Sequence, residues 1–257
     1  MDFGINLAPA ADSWKVVKRA EELGFSHAWF YDTQLLNADV FVAMAAAAVQ
    51  TERIRLGTGV LIPSNRIAPV TASALASLNK LAPGRIDFGI ATGFTARRTM
   101  GLGAVKLKDT REYVRIVRAL LNRETTEWEF EGKRRKIRFL NPDLELINTT
   151  DPIPFHFSAL GHKGKKLAAE TGMNWIMPIR DNDGAITQLR AMQDEWRGAG
   201  RDTADLYATA HAGGCILGSD EPADSARAKA QAGPAAAMVL HDMVEADFFG
   251  TLGYRIP

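Results

Sequence analysis

The sequence predicts an α/β fold, a TIM (β/α)8-type barrel of parallel strands, and three observations carry that prediction. Short apolar runs alternate with amphipathic stretches in seven successive β-then-α units. The strand-like runs are apolar at nearly every position, as strands covered on both faces must be. The stretches between them repeat their apolar positions at helical spacing and open near capping residues. An open doubly wound sheet fits the same pattern, but the steady alternation and the lack of a nucleotide fingerprint favour the barrel.

The elements follow in order. FGINLA (3–8) reads as a strand and DSWKVVKRAEELG (12–24) as a helix. In that helix Trp14, Val17, Ala20 and Leu23 share a face, Asp12 can cap the start and Gly24 the end. HAWFYD (27–32) is the second strand, before an alanine-rich helix over 39–50. The third strand, 54–62, precedes a helix over 69–81, and IDFGIAT (86–92) is the fourth. DTREYVRIVRALL (109–121) carries Asp109 and Glu112 at the spacing of a capping box. WEFEGKRRKIRF (128–139) reads as a hairpin turning at Glu131–Gly132, part of a small insertion over about 122–151. Strand 152–159, helix 162–171, strand 174–179, helix 184–197, strand 206–217 and helices over 222–232 and 235–246 complete the series. The eighth βα unit is missing, which implies a truncated chain or a barrel left open by one strand. No low-complexity linker interrupts the 257 residues, so a single domain over 1–257 is expected.

Composition narrows the partners. Thirty-one basic and 30 acidic residues leave a net charge of +1, which argues against nucleic acid or an anionic membrane as partner. The one cysteine, Cys215, excludes an intrachain disulfide framework and suits a reducing cytoplasm. MDFGINLAPA lacks the basic start and apolar core of a signal peptide. The longest apolar run, FVAMAAAAV at 41–49, falls far short of the roughly 20 residues that cross a bilayer. A soluble, cytoplasmic protein acting on a small molecule is the expectation.

Most chemical motifs are absent. GTGVLI (57–62) has two glycines of a dinucleotide loop but Ile62 at the third position, and neither GxxxxGK[ST] nor GxSxG occurs. The five histidines (His27, His156, His162, His211, His241) never frame a glutamate at i, i+4, so no metal site is expected. KRRK at 133–136 reads as a solvated hairpin turn. What remains lies where the strands end, the active face of such a barrel. Those positions are Asp32-Thr33-Gln34, Thr58-Gly59-Val60, Thr92-Gly93-Phe94-Thr95 and Ser158-Ala159-Leu160-Gly161-His162-Lys163. The last is built like an anion site, with small residues, a helix start and a lysine. It also reads as plain helix entry, Thr92-Gly93 as a turn, Asp32 as a capping carboxylate and His211 as a core histidine. Gly57 and Gly59 weaken their strand, so either the barrel turns a corner there or something flat lies on bare backbone.

The stretch RIRLGTGVLIPSNRIAPVTASALASLNKLAPGRIDFGIATGFTARRTMG (53–101) resembles the luciferase-like monooxygenase family, and within it the branch of methylenetetrahydromethanopterin reductase. The Leu-Gly-Thr-Gly-Val strand, the proline and arginine after it, the Gly-Arg at 84–85 and the glycines at 89 and 93 fall in the family's order. The resemblance implies an oxidoreductase using FMN or the deazaflavin coenzyme F420 for monooxygenation or hydride transfer on a small organic substrate, and a homodimer. It implies a non-proline cis peptide at Gly59–Val60, within Thr58-Gly59-Val60, as a platform for the cofactor ring. It assigns Thr92, Gly93, Phe94 and the run Ser158, Ala159, Leu160, Gly161, His162 and Lys163 to the ribityl and phosphate tail, and Asn6 to the ring. Asp32, Thr33 and His211 are then the candidate catalytic residues, with Met177 and Pro178 as pocket walls. Thr33 stands where the sugar-phosphate dehydrogenase branch has a histidine, and a hydroxyl is a poor general base near neutrality. Two rivals remain: a non-catalytic flavin-binding protein with an incomplete barrel, and a phosphosugar enzyme on a generic barrel.

Overall fold

The computed structural model describes residues 1–179 and 181–249. They form two compact units, the first made of 1–177 with 181–210, the second of Pro178, Ile179 and His211 to Phe249. The first unit is built on strands β1 (Gly4–Leu7), β2 (His27–Phe30), β3 (Arg55–Leu61) and β4 (Ile86–Ile90). Their crossovers carry helices α1 (Trp14–Glu22), α2 (Val40–Ala48) and α3 (Ala68–Leu81). The short α4 (Thr95–Arg98) and the long α5 (Leu107–Leu121) follow, then a hairpin of β5 (Thr126–Phe130) and β6 (Lys133–Ile137). β7 (Phe155–Ser158), α6 (His162–Thr171), β8 (Asn174–Pro178), α7 (Asn182–Gly198) and β9 (Ala208–His211) complete the sheet, and α8 (Ala226–Phe249) lies in the second unit.

Seven strands form one sheet in the order β1-β2-β3-β4-β7-β8-β9, parallel at every pairing from β1 to β8. The sheet curls into a nearly closed barrel. Tyr207, just before β9, donates its hydroxyl to Asp2 at 3.0 Å, and its ring centre lies 6.2 Å from that of His27 on β2. Alternation along each strand separates two faces. Ala28, Phe30, Leu56, Ile86, Phe88, Ile90, Phe155 and Phe157 are buried, and helices α2, α3 and α6 pack on β3, β4 and β7. The opposite positions carry His27, Trp29, Arg55, Asp87 and His156 and form a polar and aromatic interior. Arg55 Nε donates to Asp87 at 2.7 Å, and His156 Nε2 lies 3.0 Å from the other Asp87 oxygen. Trp29 stacks on His27 and meets the His156 ring edge-on at 5.1 Å.

That interior accounts for the glycines of β3. A Cβ at Gly57 would lie 2.5 Å from the Trp29 ring, and one at Gly59 would lie 2.8 Å from Trp29 Cβ. The strand is therefore stripped of bulk on account of a neighbouring indole, a cause that strand-by-strand reading does not raise. The Gly59–Val60 peptide is cis, as the family resemblance implies, and the β3–β4 register shifts between Thr58 and Leu61.

Several boundaries differ from the sequence pattern. Ser13, not Asp12, stands at the start of α1, where its hydroxyl accepts from Ala10 N, and Asp12 pairs with Lys15 at the surface. α5 begins at Leu107, so Asp109 lies inside its first turn instead of capping it. The run 206–217 yields a strand only over Ala208–His211, because Gly213 and Gly214 follow with no side chain to pack. One helix, Ala226–Phe249, replaces the two expected after 222 and contains Pro234. The hairpin turns at Glu131 (φ 52°) and Gly132 (φ 68°), the two positive-φ positions of a tight two-residue turn. Among the described residues no helix is long and apolar enough to cross a membrane.

Two outcomes follow from this interior. Gly57→Val drives methyl groups into the Trp29 ring and should destabilise the protein by about 1–3 kcal/mol in denaturant unfolding, the range of core overpacking. Burial opposes ionisation of Asp87, but hydrogen bonds from His156 and Arg55 outweigh it and hold the carboxyl below its ordinary range. A depressed carboxyl contributes stability above its unfolded pKa and loses it as pH falls through the folded value. Unfolding free energy should therefore decline on acidification below about pH 5, and Asp87→Asn, less stable at neutral pH, should decline less over the same window.

Candidate functional site

Parallel strands place their C-terminal ends at one end of the barrel, where the loops after β2, β3 and β4 are joined and the loop after β7 also lies. The loop after β2 is fixed by Asp32, which is only 5% exposed. Its oxygens accept from Ile62 N at 3.1 Å, Asn65 Nδ2 at 3.1 Å and Arg66 Nη1 at 3.1 and 3.2 Å. Asn65 Nδ2 also donates to Gln34 Oε1 at 2.7 Å, and Gln34 Nε2 donates to the carbonyl of Ala96 at 2.5 Å. Arg66 pairs in addition with Asp39, whose carboxylate caps α2 through Phe41 N and Val42 N. Burial opposes both charges, yet the bond from Arg66 and the α2 amides lower the pKa of Asp39, and the charge of Asp32, with the Asp39 bond, raises that of Arg66. Asp32 thus ties the loop after β2 to the loop after β3, and Gln34 extends the tie to Ala96 after β4. Thr33 is half-buried beside it, and its carbonyl accepts from Asn37 N at 3.0 Å.

β3 is buried from Leu56 to Thr58 and becomes half-exposed at Gly59 and Val60. Thr58 itself is fully buried and its hydroxyl donates to Gly89 O at 2.6 Å, so it holds β3 to β4 rather than facing the mouth. After β4, Thr92 O accepts from Val105 N at 2.7 Å. Gly93 is buried at φ +79°, and a Cβ there would lie 2.6 Å from Ile62, so both its conformation and its space require glycine. Phe94 is 41% exposed with the Arg98 guanidinium 4.5 Å from its ring centre.

After β7, Ser158 is half-buried, Ala159 is buried and its carbonyl accepts from Trp175 Nε1 at 2.8 Å, and Leu160 and Gly161 are exposed. Gly161 precedes α6 in extended conformation, and no side chain caps the helix. His162 pairs with Glu195 of α7, whereas Lys163 is exposed. Asn6 on β1 is half-buried, and its Oδ1 is buried without a hydrogen-bond partner; Asn65 Oδ1 is in the same state. Met177 is buried in the first unit, while Pro178 and His211 belong to the second. Burial lowers the pKa of His211, favouring its neutral ring.

Gln34 lies in the expected stretch after β2, whereas Asn65 and Arg66 were not among the expected site residues. The sequence offers one signal for these two: they lie immediately beyond the proline that ends the glycine-bearing strand. Chemically, the mouth presents backbone, small side chains and two unsatisfied amide oxygens, with its carboxylate spent on the loops.

The comparisons with known proteins agree with this architecture. The model of the luciferase-like monooxygenase family matches residues 6–251. A 5,10-methylenetetrahydromethanopterin reductase of Methanolobus tindarius is 30% identical over 239 residues, 90% of this chain and 69% of that protein. The coenzyme F420-dependent tetrahydromethanopterin reductase of Methanopyrus kandleri superimposes with a TM-score of 0.69 at 24% identity, over 82% of this chain and 65% of that one. The oxygenating constituent of 3,6-diketocamphane monooxygenase from Pseudomonas putida, solved with FMN, gives 0.67 at 16% identity, over 81% of this chain and 66% of that one. The chain thus spans about two thirds of the length of these relatives, and it belongs to the luciferase-like monooxygenase family.

Proposed function

We propose that this chain is an oxidoreductase that binds FMN or coenzyme F420 at the mouth of the first unit and acts on a small organic substrate by monooxygenation or hydride transfer. The observation that carries the reading is the half-exposed backbone at Gly59–Val60, next to the buried Leu56–Thr58, together with a buried amide oxygen of Asn6 on β1 that lacks a partner. A flat heteroaromatic ring carrying N–H groups suits both features. Support for the tail comes from the uncapped start of α6, where amide groups and the exposed Lys163 suit a phosphate. The M. kandleri and P. putida neighbours are the precedents for the two cofactors.

The cofactor, when bound, supplies the redox chemistry, and the chain's residues bind, orient and exclude water. Gly59, Val60 and Asn6 hold the ring; Thr92, Gly93, Phe94 and the loop from Ser158 to Lys163 hold the tail. Asp32 serves as a positioning residue, since its four accepted hydrogen bonds fix Ile62, Asn65 and Arg66 around the ring site. Val42 on α2 and Val49 just after it, with Ile67 just before α3 and Val70 on it, leave exposed apolar side chains that support a homodimer.

Titrating the protein separately with FMN and F420 and following the absorption spectrum tests the reading. One of the two should perturb the spectrum saturably, and Lys163→Glu should weaken FMN by about tenfold or more while changing riboflavin binding little, because only FMN carries the phosphate. Binding of neither cofactor overturns the proposal, and equal loss for both flavins overturns the tail assignment. For the dimer, the double substitution Val42→Glu with Val49→Glu should convert a dimeric elution volume to a monomeric one in gel filtration.

A further inference from the structure

A second constellation lies away from this mouth. The C-terminal parts of α5 and α6 and the start of β5 line an open cavity of about 840 Å³, whose walls include Arg111, Arg115, Arg118, Thr125, Glu170 and Arg201. Most of the charges there are matched. Arg111 pairs with Glu170, Arg115 with Glu112 at 2.7 Å, Glu127 with Arg134 at 3.5 Å, and Glu124 accepts from Asn122 at 3.3 Å. Among the described residues no carboxylate bonds Arg118 or Arg201.

Both of these guanidinium groups are held in place. Arg118 donates one Nη1–H to Thr171 O at 2.7 Å and lies 4.8 Å from the centre of the Phe155 ring. Arg201 donates Nε–H to Ala169 O at 2.7 Å and lies over the Trp196 ring at 5.4 Å. Gly172 makes room for it, since a Cβ at that position would sit 2.6–2.8 Å from the guanidinium atoms. Capping the end of α6 uses one donor of the five on each arginine. It explains neither the second positive charge nor the open cavity beside the pair. Burial, and next the charge of Arg201, lower the pKa of Arg118, as expected for two like charges brought together.

We propose that this cavity is a binding site for a phosphate-class oxyanion, inorganic or the phosphate group of a small ester, held between Arg118 and Arg201. Fixed guanidinium groups with unspent N–H donors match phosphate oxygens in charge and geometry, and a dianion neutralises both at once. The site stands at the opposite end of α6 from Gly161, about 15 Å along a ten-residue helix, so it does not depend on the cofactor reading.

Thermal unfolding at constant ionic strength, with inorganic phosphate and glycerol 3-phosphate as probes, tests the assignment. Phosphate should raise the melting temperature saturably where sodium chloride does not. The apparent affinity should fall about tenfold or more in Arg201→Gln and in Thr125→Glu, and be unchanged in Lys163→Glu. Thr125 is exposed, so its substitution introduces a competing carboxylate without disturbing the core. Tighter binding of the ester than of phosphate, or the reverse, supports the site in either case and identifies the free or the esterified form as its ligand. A wild type without a saturable response, a Thr125→Glu protein that titrates like wild type, or loss of the response in Lys163→Glu overturns the proposal.

Discussion

The contact on which the rest of the barrel depends is the indole of Trp29 against the bare backbone of β3. It lies where the interior changes character. Toward one end it stacks on His27 and meets the edge of His156, which shares Asp87 with Arg55. Toward the other it covers Gly57 and Gly59, leaving the next peptide of the strand accessible. A smaller residue at position 29 would leave a void between ionised groups, and a larger one at 57 or 59 would push the strands apart.

The mouth and the base of the barrel solve different problems with charge. At the base, Asp87 is shared by an arginine and a histidine, and the ion pair fills space that a ligand cannot enter. At the mouth, Asp32 is as buried as a core residue, yet its bonds run to the loop after β3 rather than across the interior, and Gln34 carries the tie on to Ala96 after β4. Loops are ordinarily the mobile part of such folds. Here a single carboxylate, with Asn65, Gln34 and Arg66, holds the rim still and leaves the space above Gly59 bounded by backbone.

Much of this was legible in the sequence, for identifiable reasons. Strand and helix order followed from periodicity, since β2 and β4 are apolar except for His27 and Asp87, and α1 and α5 keep one apolar face. The turn at Glu131–Gly132 was readable because few pairs tolerate two positive φ angles. Two things were hidden. Gly57 and Gly59 read as a ligand platform in one dimension, and the further demand on their missing side chains comes from Trp29, 28 and 30 positions earlier, which only strand pairing brings to them. Likewise the partners of Asp32 lie 30 to 34 residues away, so its role at the rim was beyond any local pattern. Strand ends were over-extended for a similar reason: the apolar text after His211 gives no sign of where pairing stops.

The β5–β6 ribbon is a two-stranded sheet of its own, and no barrel strand pairs with it. Its tip therefore offers a place to graft a reporter peptide, attach a surface anchor or reopen the polypeptide with new termini, since none of these changes the register of a strand in the seven-stranded sheet.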